Sequence, residues 1–168
     1  MPDIVSPEIR SQMMSCIRGK DTKPELAIRK GLHAQGFRYK LHDRTLPGKP
    51  DMSFPCYKAV ILVNGCFWHG HGCHLFKWPS SREEFWRKKI NRNKERDAEN
   101  LRALNDAGWR VLTIWECALK GRTRRPLDRV VDAAATWLIS GKRNRVIQGK
   151  NNDTHGVMDE TRLSVGIL

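Results

Sequence analysis

Three metal-binding side chains within eight residues, Cys66-x4-His71-x-Cys73, constrain this chain more than any other feature. They lie in residues 64–79, where apolar periodicity gives way to Gly, His, Cys and aromatic residues. A loop of that composition needs something to fix its shape, and thiolates with an imidazole at this spacing read as a zinc site. Closing a tetrahedral site takes a fourth ligand. Cys117 is the best candidate, because it follows the apolar strand Trp109–Trp115 and would pin the loop to a neighbouring strand end. His69 and His74 compete for the role. With four protein ligands the zinc is structural and closed. The rival reading is ordinary reduced thiols among solvated histidines.

Composition narrows what such a chain does. At 168 residues with 39% hydrophobic content it is one domain around one core. Five cysteines, at 16, 56, 66, 73 and 117, are an odd number with one tight pair, which suits metal ligation better than a disulfide framework. There is no run of about 18 apolar residues to span a membrane. The start, MPDIVSPEIR, lacks the apolar segment of a signal peptide, so an intracellular protein is expected. A net charge of +13 favours a polyanionic partner, nucleic acid first. Ribosome association, plain solubility or an anionic membrane surface are the alternatives.

Local signals give the order ααβββαβα. Ser6-Pro7 starts a helix with Ile9, Met13 and Ile17 four residues apart, ended by Gly19. Thr22-Lys23-Pro24-Glu25 is a capping box opening a second helix that runs to Gln35 before Gly36. Strands are predicted at Phe37–Leu41, Asp51–Phe54, Ala59–Val63 and Trp109–Trp115, with a turn at Pro47–Pro50. A long basic helix covers Ser81–Asp106. A closing helix covers Pro126–Ser140, with Leu127, Val130, Val131, Ala134, Trp137 and Leu138 on its apolar stripe. These elements predict an α/β fold, a mixed sheet flanked by helices. The domain then ends at residue 141, and 142–168 reads as a polar, poorly ordered tail.

Asp51, at a strand end after Pro50, is placed to hold Mg²⁺ against a phosphate. Many nucleases follow such an acid with a strand carrying an acid-x-Lys pair. Here that strand reads Ala-Val-Ile-Leu-Val and has neither. A catalytic Asp51 therefore needs a main-chain carbonyl as second metal ligand and another base, for which His69 is the natural choice. A simple turn aspartate is the competing reading. Phe67, Trp68 and Trp86 either cover the zinc site or wedge between bases. Trp109, Trp115 and Trp137 read as core. Arg87, Lys88, Lys89, Arg92 and Arg96 suit phosphate contact, although a charged helix face is often only solvated.

The strings Leu46–Asp51 (LPGKPD), Val63–His69 (VNGCFWH), Glu84-Phe85-Trp86, Asn93–Asp97 (NKERD), Gly108–Leu112 (GWRVL) and Trp115–Leu119 (WECAL) resemble the very-short-patch mismatch repair endonucleases, the Vsr family. The resemblance runs from about Ser11 to Leu138. It implies a restriction-endonuclease-like fold over residues 1–141, with a helical arm, residues 1–20, against DNA. It implies Mg²⁺-dependent nicking on the 5′ side of the mispaired thymine in T:G mismatches left by 5-methylcytosine deamination. A functional link to a cytosine-5 methyltransferase and to mismatch-repair proteins follows, in a monomer working in the bacterial cytoplasm on the nucleoid. Asp51 and the Val63 main chain would hold Mg²⁺, His69 would be the base, and Glu25 would support the metal-bound water. Cys66, His71, Cys73 and Cys117 would hold structural Zn²⁺. Phe67, Trp68 and Trp86 match the wedge. Met14, Lys89 and Asn93 match positions near the mispaired bases.

Two departures stand out. Val63-Asn64 replaces Thr-His of the best-known form; the main-chain ligand survives, and Asn64 can still bond a phosphate or water. Gly70 and Gly72 replace histidines and are expected to loosen the loop slightly. A zinc-stabilised nucleic-acid-binding module without catalysis, or a nuclease for another DNA substrate, are the competing functions.

Overall fold

Ser6 and Thr22 start the first two helices as their positions predict. Ser6 Oγ accepts the Ile9 N–H at the head of α1 (Pro7–Ser15). Thr22 and Glu25 exchange the reciprocal bonds of a capping box at the head of α2 (Lys23–Ala34). The computed structural model describes residues 5–17 and 19–150. Within that range the chain continues as β1 (Lys40–Leu41), β2 (Met52–Phe54), β3 (Ala59–Asn64), α3 (Glu83–Asp106), β4 (Arg110–Trp115), α4 (Leu127–Ser140) and β5 (Arg145–Ile147).

The sheet order is β1-β2-β3-β4-β5, antiparallel through β3 and parallel from β3 to β5. The α/β expectation holds: a five-stranded mixed sheet flanked by helices. Ala59, Val60 and Ile61 of β3 are fully buried, which explains their unalternating apolar run. One core joins Ala59 and Ile61 to Ile28 and Leu32 of α2, Met52 and Phe54 of β2, and Val130, Ala134 and Trp137 of α4. Each such buried large side chain contributes about 1.5–3 kcal/mol. A smaller cluster, Val60, Leu104 and Val111, seats α3 on the other face.

Four expectations need correction. The predicted strand from Phe37 pairs only at Lys40–Leu41, while Phe37 turns into the core against Phe54. Ile9, Met13 and Ile17 are exposed, and the helix that their spacing marks ends at Ser15 with no buried residue. Leu127 is likewise exposed on α4. The tail expected from residue 142 is structured through Lys150. Arg145–Ile147 adds a parallel strand beside Leu112–Ile114, and Ile147 is buried. Its remainder lies outside the described residues. No described helix is long and apolar enough to cross a membrane.

Candidate active site and metal centre

The C-terminal ends of β3 and β4, side by side in parallel register, build the site. Beyond its pairing with β2, β3 has a free edge, and there the Val63 N–H donates to Asp51 Oδ2 at 2.7 Å. A strand residue points its N–H and C=O to the same side. The Val63 carbonyl therefore faces the Asp51 edge, where a carboxylate oxygen and a carbonyl can share one hard cation. Burial pushes the Asp51 carboxyl above its ordinary range, partly offset by the Val63 N–H and by His42, Arg29 and His69 nearby.

Asp51, Val63, Asn64 and His69 line one cleft of about 1180 Å³. Lys20, Arg44, Lys49, Lys94 and Arg96 contribute positive charge to its walls. His69 Nδ1 meets Asp97 Oδ2 at 2.5 Å. With its Nδ1 proton given to that carboxylate, the ring keeps Nε2 as a free acceptor, the form a general base needs. Asp97 was legible only as part of a motif string; its contact spans 28 residues of sequence.

Glu25 sits deeper. It is 2% exposed, bonded to Thr22 and to the Arg29 guanidinium, and is not among the residues lining the cleft. Sequence reasoning missed its neighbours: Arg29, Asp21 and His42 close a cluster around it.

The four residues expected to hold zinc come together. Donor atoms of Cys66, His71, Cys73 and Cys117 all lie within 4.8 Å of one another. Bonds of about 2.0–2.3 Å to one tetrahedral ion place its donors roughly 3.5–4 Å apart. His71 Nδ1 is 3.6 Å from both Cys66 Sγ and Cys117 Sγ, so that nitrogen is the ligand. Nε2 then carries the proton and donates to Gln148 Oε1 at 3.0 Å. Burial pushes both the Cys66 and the Cys117 thiol up, so a metal ion must displace their protons. The Cys117 and Gly149 N–H groups point at sulfur, 3.4 Å to Cys66 Sγ and 3.3 Å to Cys117 Sγ. Glu116 Oε2 accepts the Cys66 N–H at 3.1 Å and fixes the loop entrance. His74 takes no part in this set; its Nδ1 lies 3.5 Å from Thr123 Oγ1.

Trp115 is not core as expected. It stacks on His71 at 4.2 Å and lines the cleft near His69, joining the Cys/His cluster and the cleft through one indole. Gly70, expected to loosen the loop, does the opposite. At φ +59° a Cβ would come within 2.5 Å of Lys94 and 2.7 Å of Ile90, so the missing side chain lets the loop press onto α3.

Phe67, Trp68 and Trp86 form an edge-to-face and tilted cluster with centroids 5.2–6.0 Å apart. Lys89 lies over Trp68 and Trp86. Asn93 Nδ2 donates to the Trp68 carbonyl at 2.8 Å, so it fixes the aromatic loop. Met14 is half-buried on α1, outside the cleft.

A parallel-ended mixed sheet that brings a buried carboxylate, a carboxylate-held imidazole and a basic cleft together has the build of a nuclease of the restriction-endonuclease-like class. Comparison with known proteins agrees. The family model described as DNA mismatch endonuclease Vsr matches residues 2–75. The chain is 46% identical over 134 residues to the type II nicking enzyme V.XorIIP of Xanthomonas oryzae pv. oryzae, covering 76% of this chain and 98% of that one. It is 41% identical over 138 residues to the DNA mismatch endonuclease Vsr of Escherichia coli K12, covering 82% and 88%. It is 44% identical over 133 residues to the nicking enzyme V.NmeAIP of Neisseria meningitidis, covering 78% and 95%. The chain belongs to the Vsr family of DNA endonucleases. It hydrolyses phosphodiester bonds in DNA, which sets aside the non-catalytic binding module.

Proposed function

We propose that this endonuclease nicks one strand of a T:G-mismatched duplex on the 5′ side of the mispaired thymine, using Mg²⁺. The observation that carries this reading is the convergence of Asp51, the Val63 main chain and the Asp97-held His69 on one basic cleft beside an aromatic cluster. Asp51 and the Val63 carbonyl would hold Mg²⁺, which supplies Lewis-acid polarisation of the scissile phosphate. His69 Nε2 takes the proton of the attacking water, while Asp97 stabilises the imidazolium that forms. Asn64, at the end of β3, offers an amide to the phosphate. Glu25 acts from behind the cleft wall on the hydration of the site.

Cys66, His71, Cys73 and Cys117 hold Zn²⁺ as a closed structural ion; three thiolates and an imidazole are its preferred donors. Phe67, Trp68 and Trp86 enter the stack at the mismatch, where unpairing costs least. Lys89, Asn93 and Met14 approach the mispaired bases. The protein acts as a monomer in the bacterial cytoplasm, since one cut at an asymmetric lesion needs one site. Its lesions arise where a cytosine-5 methyltransferase has worked, and mismatch-repair proteins take up the nick.

The test is a nicking assay on matched sets of T:G, T:A and unpaired duplexes with and without Mg²⁺. The expected result is one nick, in T:G alone and with Mg²⁺ alone, abolished in Asp51→Ala and His69→Ala while both variants still bind the duplex. Equal cutting of T:A duplex would reject the substrate; an unchanged Asp51→Ala rate would reject the mechanism.

A further inference from the structure

Asp21, Glu25 and His42 place ligand-type atoms within 4.8 Å of one another, the spacing of a cation site. A cation already stands among them. Arg29, 7% exposed, sends Nη1 to Asp21 Oδ1 at 2.6 Å and Nη2 both to Glu25 Oε1 and to within 2.8 Å of His42 Nε2. A guanidinium only donates, so His42 Nε2 must accept and the ring proton sits on Nδ1. The carboxylates are farther from that nitrogen, at 3.4 Å for Glu25 and 3.6 Å for Asp21, so Arg29 sets the tautomer.

The cluster is built at a cost. Asp21 and His42 both adopt left-handed backbone, φ +57° and +47°, a conformation that strains non-glycine residues. Arg29 Nε is buried without a partner. Such strain persists where surrounding structure holds it for a purpose. His42 is tied to the active site directly: its N–H donates to the Asp51 carbonyl at 3.2 Å, and it lines the cleft. Tyr39 Oη donates to the Arg29 carbonyl at 2.9 Å, steadying α2 at that point.

We propose that Arg29 is a positioning residue of the nuclease centre, locking His42 in the tautomer that offers an Nδ1–H donor to the DNA phosphate held beside Asp51. This rests on the nuclease reading above. His42 contacts the phosphate; Arg29, buried behind it, acts only through His42.

Single-turnover nicking of T:G duplex by wild type, Arg29→Met, Arg29→Lys, His42→Ala and the Arg29→Met/His42→Ala double variant tests it, with duplex affinity and melting temperature measured for each. His42→Ala and Arg29→Met are each expected to slow nicking about 100-fold, the loss typical of one preorganised donor at a reacting group. Affinity should change only a few-fold, and the double variant should be no slower than either single one, because the two act as a unit. Arg29→Lys, which still donates, should recover part of the rate. Full activity in His42→Ala overturns the proposal whether or not Arg29→Met folds. Losses that multiply in the double variant overturn it too, since Arg29 would then act independently. A wild-type chain that cuts no duplex rejects the nuclease reading itself and this inference with it; wild-type cutting with an unaffected His42→Ala rejects this inference alone.

Discussion

Asp51 is where chemistry and stability pull in opposite directions. Burial raises its carboxyl pKa, so the folded chain prefers the protonated acid. The stability this gives is complete below the ordinary carboxylate value near ~3.9 and is lost as pH rises through the raised one. At neutral pH, without a cation, the carboxylate is a net cost. Asp51→Asn removes the charge and keeps an oxygen for the Val63 N–H. It should raise the melting temperature of metal-free protein at pH ~7. The gain should vanish below pH ~4, and Mg²⁺ should stabilise wild type but not the variant. Calorimetry with and without Mg²⁺ checks this, and a less stable Asn variant at pH ~7 contradicts it. What local spacing states was legible beforehand: the Cys66-His71-Cys73 cluster, which the fold brings together with Cys117, and the place of Asp51 beside the end of β3. Those defined by distant partners were not. Asp97 meets His69 across 28 residues and Gln148 meets His71 across 77, and no local pattern encodes such pairs.

Among the elements, β5 shows most clearly why a short strand escapes sequence reading. Arg145-Val146-Ile147 is three residues in a basic stretch, too brief for a period, and its reason to be a strand is the open edge of β4. Helices announced themselves through Ser6, Thr22 and Gly141, whose roles are local. The segment after β5 closes over the Cys/His cluster: Gln148 on His71, Gly149 on Cys117, and the Gln148 carbonyl held by Arg125 Nε at 2.7 Å. Partners of this kind typically change metal affinity by about 10–100-fold. Gln148→Ala should weaken Zn²⁺ binding within that range, and a chain ending at Gly141 should weaken it further. Competition with a coloured chelator measures both. Unchanged affinity in Gln148→Ala would show that His71 needs no such support.

For the whole molecule, charge sets the terms of encounter with DNA. The net +13 and the basic cleft predict binding dominated by phosphate neutralisation. If six or more phosphates are engaged, affinity should fall by about 10³-fold or more between about 50 and 200 mM salt. A logarithmic slope shallower than about −2 would mean that the cleft is not the binding face. The sheet was legible as an architecture because buried runs and alternating charge are physical demands of layered packing. The cleft was not, because it exists only where the ends of β3 and β4 meet α3 and the turn before β2.

Gly149 reaching back to Cys117 also bears on the order in which the parts of this chain can assemble. Domains fold as their chains emerge from the ribosome, N-terminal parts first. Asp51, Val63 and His69 are made early, but among the described residues the Cys/His cluster gains the hydrogen bonds from Gln148 and Gly149 only after residue 149 is released. A chain released only through β4 carries Asp51, Val63 and His69 before Gln148 and Gly149 have closed over the Cys/His cluster.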